Sequence, residues 1–213
     1  MGIAFVFILH LIAIGIVSGI IATLSVIITY IASKKETRKR NIWTSMISPF
    51  VGLYTLYICG LVGSGIVSAF KNVDIGIGDA WYVPLQDNCQ LLFIDIPEQA
   101  YIEKYGNTVI SEVSDLQQID NRIFGKSGSN KYFSYNITTN ELKEYKSEND
   151  LRSHNPNVVL KLKTAIVFYS DKRNDIAGFA LIVVGITSLL ISISSIYLVR
   201  KIIVRLVKPT GMT

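Results

Sequence analysis

The side chains most often found doing chemistry are scarce in this chain. It has two histidines, His10 and His154, and two cysteines, Cys59 and Cys89. A Cys89–His154 thiolate–imidazole pair is the one nucleophilic arrangement on offer. The plainer reading of Cys89 is a buried core thiol, because it follows an Asp-Asn turn and enters an apolar stretch. One Cys and one His outside the apolar runs do not make a tetrahedral zinc set. Asp74-x-Gly76-x-Gly78-Asp79 has the look of a calcium loop fragment, but the fixed oxygen positions and closing Glu are missing. The same glycines lack the third Gly of a dinucleotide turn and follow an apolar run instead of a strand.

Asp79, Asp87, Asp95, Glu98 and Glu103 are numerous but unpatterned, so no general acid–base pair is nominated. Trp81 and Tyr82, with Tyr101, Tyr105, Tyr132, Tyr135 and Tyr145, are a candidate ligand surface. The competing role for such residues is the core of a small sheet. Asn136-Ile137-Thr138 has the form of a glycosylation sequon. The sequence thus nominates no catalytic residue, no metal ligand and no cofactor.

The elements that would carry these residues are set by charge. A soluble domain has about 25% charged residues; here it is 17% of 213. Residues 2–33, 41–70 and 176–199 contain no Asp, Glu, Lys or Arg. Roughly 20 apolar residues cross a bilayer core, so each run predicts a transmembrane helix. The expected order is helix 1 over 1–33, a basic cytoplasmic loop 34–41, helix 2 over 42–70, an extracytoplasmic domain 71–175, helix 3 over 176–200 and a basic tail 201–213. The first run is too long, and too poor in basic residues at its front, for a signal peptide, so it is read as retained. The tail ends four residues after Pro209, and no cytoplasmic effector domain is expected there.

Net charge is +5, and it is divided. Lys34, Lys35, Arg38, Lys39 and Arg40 oppose one Glu36; Arg200, Lys201, Arg205 and Lys208 oppose none. Residues 71–175 carry a net −3. A nucleic-acid surface needs a basic face on a folded domain, so nucleic acid is excluded as a partner. The two basic clusters flank helices and predict the cytoplasmic side, which places the N-terminus outside and the C-terminus inside. Contact with anionic lipids is expected from the same charges.

Within the helices, Gly15, Ser18, Gly19 and Ala22 form a small-residue stripe, Gly60 and Ser64 a second and Ser188 and Ser192 a third. Such stripes let helices approach, within one chain or between copies. His10 is the one ionisable side chain inside a run, near its start. Pro49 predicts a kinked or late first turn in helix 2. Between helices 2 and 3, strands are expected over 81–83, 90–96, 108–113, 122–125, 132–137 and 142–145. The last two make a hairpin with Asn140 in the left-handed region. Asn155-Pro156 reads as the start of a helix of about three turns.

The fold class expected is an integral membrane protein with three transmembrane helices and one sheet-rich α+β domain between helices 2 and 3. Its expected work is interaction: a membrane-anchored accessory or sensing module binding a protein partner or an envelope ligand, self-association through the helices included. The alternative is a membrane-bound enzyme with its site on the outer domain. A channel or transporter subunit would need more polar groups within the helices than His10.

Overall fold

The computed structural model describes residues 3–76, 80–94, 96–128 and 131–207. Gly78, Asp79, Asp95, Lys208 and Pro209 lie outside the described residues, and with them part of the calcium-like segment. Among the described residues, three helices are long and apolar enough to cross a membrane: α1 Ile3–Ala32, α2 Lys35–Lys71 and, towards the far end of the chain, α4 Ala165–Leu206. At 1.5 Å per residue, 42 residues run roughly 63 Å, about twice a hydrocarbon core. The chain divides into a helical unit, 1–66 with 180–213, and a β unit, 67–179.

In the helical unit, only Ser33 and Lys34 separate α1 from α2. The basic stretch expected as a loop over 34–41 is therefore helical from Lys35. Its charges do not prevent this, because the first turns of a helix can project long cations into solvent. Arg38 instead turns back, donating to the Ser33 carbonyl near the α1 C-terminus and lying over the Tyr30 ring. That is where a helix dipole favours a cation. Pro49 sits inside α2 and does not delay its start.

α1 and α2 run antiparallel. Tyr54 donates to the Leu11 carbonyl at 2.9 Å, Thr29 and Ser45 hydroxyls meet at 2.6 Å, and His10 Nδ1 lies 3.0 Å from the Tyr57 hydroxyl. α2 and α4 are antiparallel too. Ser192 Oγ donates to the Gly52 carbonyl at 2.8 Å, and a Cβ at Gly63 would stand 2.6 Å from Val184.

Among the described residues, nine strands form two antiparallel sheets. β1 Ala80–Gln86, β2 Cys89–Ile94, β3 Tyr101–Lys104 and β4 Asn107–Ile110 make the first, in chain order. A 3-10 turn, Pro97–Gln99, lies between β2 and β3. β5 Val113–Ile119, β6 Arg122–Ser127, β7 Lys131–Asn136 and β8 Glu141–Tyr145 make the second, with β9 Lys163–Thr164 added beside β5. Tight hairpins explain the order. Asp87 and Asn88 both have positive φ, 47° and 56°, as a type I′ turn requires. Asn140, φ 59°, takes the left-handed position expected of it.

Inward residues alternate: Val83 and Leu85, Leu91 and Phe93, Phe133 and Tyr135 are all buried. A polar junction joins the sheets inside this core. Lys104 of β3 donates through Nζ to the Ile137 carbonyl and, at 2.7 Å, to Asn140 Oδ1, which also accepts from Tyr135 at 3.1 Å. A buried ammonium needs such acceptors.

The helix expected to begin at Asn155-Pro156 does not form. Asn155 instead ends α3, Glu148–His154, where its Nδ2 caps the Leu151 carbonyl at 2.9 Å. A residue before Pro is driven out of the helical region, so it closes a helix more readily than it continues one. The following segment runs past β5: Lys161 N–H donates to Gln117 Oε1 at 2.6 Å, and Gln117 Nε2 to the Val159 carbonyl. α4 then starts at Ala165, eleven residues before its uncharged run opens at Ile176. Its charged first turns are held by Lys163–Asp171 at 2.7 Å and Lys172–Gln118 at 3.0 Å.

Candidate functional site

Trp81 and Tyr82 are the two residues nominated as a ligand surface. β1 places the Trp81 ring edge-on to Phe93, centroids 5.1 Å apart, and stacked on Tyr169 of α4 at 5.9 Å. Tyr169 in turn donates to the buried Asp74 carboxylate at 2.7 Å, and Gly76 N–H donates to the same carboxylate at 3.0 Å. The Arg173 guanidinium lies 5.8 Å from the Tyr169 ring centroid. Tyr82 brings its hydroxyl to 3.4 Å from Ser68 Oγ. Trp81 thus packs β1 on the first turns of α4, and Tyr82 meets Ser68 in the last turn of α2. Tyr169 and Gly76 give a carboxylate taken out of water two donors, which is what makes its burial tolerable.

Asp74 and Tyr169 were not nominated from the sequence. An Asp just past an apolar helix, followed by glycines, reads as a solvated turn until the partner 95 residues away is known.

The structure does not bring Cys89 and His154 together. Cys89 lines one cavity, of about 400 Å³, with Asn88, Glu103 and Tyr105. His154 lines another, of about 170 Å³, with Arg122 and Tyr145. Burial pushes the Cys89 thiol up to about 11, with Lys104 opposing, so it is protonated and a poor nucleophile at neutral pH. Burial also raises Tyr135. His154 is exposed and held by its own helix, with Nδ1 3.2 Å from Asp150 Oδ1. Asn136 of the sequon has its side-chain oxygen engaged by the Thr138 and Thr139 amides.

A concavity of about 520 Å³ in the β unit has no local signature in the sequence. The 3-10 turn contributes Glu98, the ends of β5 and β6 contribute Ser114, Asp115 and Gly128, and the start of α4 contributes Ile166. Glu112 joins them at φ 54°, a left-handed conformation that glutamate rarely adopts and that costs on the order of 1 kcal/mol. The Gly128 amide donates to its carbonyl at 2.8 Å and helps hold it there. Ser114 Oγ donates to Asp115 Oδ2 at 2.8 Å. Three acidic residues, Glu98, Glu112 and Asp115, border a concavity whose lining is otherwise largely apolar. Among the described residues no group of three His, Cys, Asp or Glu side chains is placed to hold a metal.

Within the helices, a Cβ at Gly15 would lie 3.0 Å from the Tyr54 hydroxyl, and Ser18, Ala22, Ser188 and Ser192 are buried. Gly19 and Gly60 face open space, where a Cβ would meet nothing within 4 Å, and Ser64 is half-buried. On α2 the close approach falls at Gly52 and Gly63 instead. Eleven residues are almost a whole number of helical turns, so these two share a face.

No family model, curated protein or solved structure matches this chain.

Proposed function

We propose that the chain is an integral membrane protein that crosses the bilayer three times and displays its β unit outside the cytoplasm as an interaction or sensing module. The observation that carries this reading is the outward face of α1. Ile12, Ile16, Ile20, Leu24 and Ile28 succeed one another at four-residue spacing, each more than half exposed. On α4, Phe179, Ile182, Ile186 and Ile193, three, four and seven residues apart, are also each more than half exposed. A water-soluble protein does not leave continuous apolar stripes of this length uncovered; lipid acyl chains cover them at no cost.

The sidedness follows from the basic ends of α1–α2 and α4, which the positive-inside bias assigns to the cytoplasm. The module reading is supported by the β unit having its own core and by its concavity, whose apolar wall edged by Glu98, Glu112 and Asp115 suits a partner or envelope ligand that pairs an apolar surface with cationic or donor groups. A photo-crosslinking side chain at Ser114, in the full chain in native membranes, tests this. A discrete adduct at Ser114, absent with the probe at Lys143 and lost when Glu98, Glu112 and Asp115 become amides, is expected. Equal adducts at both positions, or none at Ser114, would contradict the concavity as the contact surface.

A further inference from the structure

We infer that the basic end of the helical unit contains a built site for the phosphate of an anionic lipid, with Arg40 and Arg200 as its cationic walls. The inference rests on the membrane reading above. A cavity of about 430 Å³ lies there, lined by all three long helices. α2 contributes Arg40, Asn41 and Thr44, α4 contributes Arg200, the last turn of α1 contributes Thr29, and Ser33 just beyond it completes that side.

Charge demands an anion. In residues 1–66 and 180–213, nine Lys and Arg face a single carboxylate, Glu36. Every ion pair among the described residues lies between Lys131 and Asp171, none of it in the helical unit. Arg38 is occupied with the Ser33 carbonyl and the Tyr30 ring. Arg40 and Arg200 make no side-chain hydrogen bond to the described residues, yet both border the same cavity. Guanidinium groups match phosphate oxygens two at a time, and a pair from different helices clamps one phosphate.

The cavity wall is fixed before any ligand arrives. Asn41 Nδ2 donates to Ser33 Oγ at 3.1 Å, and the Thr29 and Ser45 hydroxyls meet at 2.6 Å, so α1 and α2 are tied at two levels. The rest of the lining decides between a lipid and a free anion. Ile28, Ile196 and Val204 continue the same wall. A free phosphate makes no use of them, whereas the glycerol and upper acyl carbons of a lipid do. Basic pockets between membrane helices on the cytoplasmic side are suited to such headgroups.

The full chain in nanodiscs of phosphatidylcholine, with and without phosphatidylglycerol, tests the site. Retained phosphatidylglycerol is titrated and counted by native mass spectrometry. Arg40→Gln with Arg200→Gln should weaken retention roughly 5-fold per arginine, while Lys39→Gln with Lys201→Gln, the same charge change outside the cavity, should weaken it much less. Arg40→Lys with Arg200→Lys should fall between. Melting in phosphatidylcholine discs verifies that each variant is folded. Equal losses in the arginine and lysine pairs would overturn the site in favour of diffuse adhesion. If inorganic phosphate displaces the lipid from the wild type, the occupant is a free anion and the lipid assignment fails. A chain that enters the discs but shows no preference for phosphatidylglycerol sinks the site alone; one that does not enter them sinks the membrane reading as well.

Discussion

The helical and β units solve the burial problem in opposite ways. The β unit turns its large side chains inward: Tyr135, Phe93, Phe124 and Phe133 are essentially inaccessible. The helical unit buries mainly small ones, Ser18, Ala22, Ser188 and Ser192, and apart from Ile203 leaves its large apolar side chains exposed or half-exposed. In water the driving force is removal of apolar area, so large residues go in. In lipid that force is absent between helices, and close contact between small residues takes its place. The difference in which residue sizes are buried supports the membrane reading proposed for the helical unit.

The sharpest way to break that comparison is to separate the units. Residues 67–179, expressed without the rest, should show a β-type circular dichroism spectrum and one cooperative melt in plain buffer. The full chain should require detergent or lipid to stay dispersed. A non-cooperative melt of the isolated piece would mean that the core of the β unit is not its own.

The next test concerns which small residues are seams. Gly63→Leu should lower the stability of the helical unit by about 1–3 kcal/mol through overpacking against Val184, and Val184→Ala should restore part of it. Gly60→Leu, three residues away and facing open space, should change little. Thermal unfolding in detergent reads both. A larger effect at Gly60 would mean that another copy of the chain covers that face.

In the β unit the comparable test is polar. Lys104→Met leaves the Ile137 carbonyl without its side-chain donor and Asn140 Oδ1 with Tyr135 alone, and should cost about 1–3 kcal/mol, seen as a lower melting temperature. An unchanged melt would show that water replaces the ammonium.

The smallest effect is a pH dependence. The Cys89 thiol loses its proton near its ordinary value of 9.0 in the unfolded chain but only at about 11 in the fold. Between those values the unfolded state holds fewer protons, so stability is full below pH 9 and declines as pH rises to 11. Cys89→Ala should flatten this part of the decline. A slope unchanged by the substitution would assign it to other groups.

How much of this was legible in the sequence depended on whether the signal was local. The β7–β8 hairpin was, since Phe133, Tyr135 and Ile137 alternate and Asn140 supplies the turn. β5 was not read. Its register shifts between Val113 and Asp115, so the buried Val113 and Leu116 stand three apart and the period of two is lost. α3 did carry a signal, Ser147 followed three residues on by Asp150, and Ser147 Oγ does accept from the Asp150 amide at 3.1 Å. The Asn155-Pro156 pair just after it was read as a start when it serves as a stop. The helix seams were illegible for a different reason. Small residues occur on several faces of α1 and α2, and only the rotation of each helix against its neighbour selects Gly15, Gly52 and Gly63 over Gly19 and Gly60. The acidic concavity joins residues 98, 115 and 166, a proximity that no local pattern encodes.

In the proposed topology the chain crosses a membrane with its β unit outside and its basic ends inside. A protease site inserted in the exposed turn at Gly128, paired with a tag at the C-terminus, tests this most directly in sealed cells. Added protease should cut at the Gly128 turn and leave the C-terminal tag intact until the membrane is opened. Protection at Gly128 together with cleavage of the C-terminal tag from outside would contradict it.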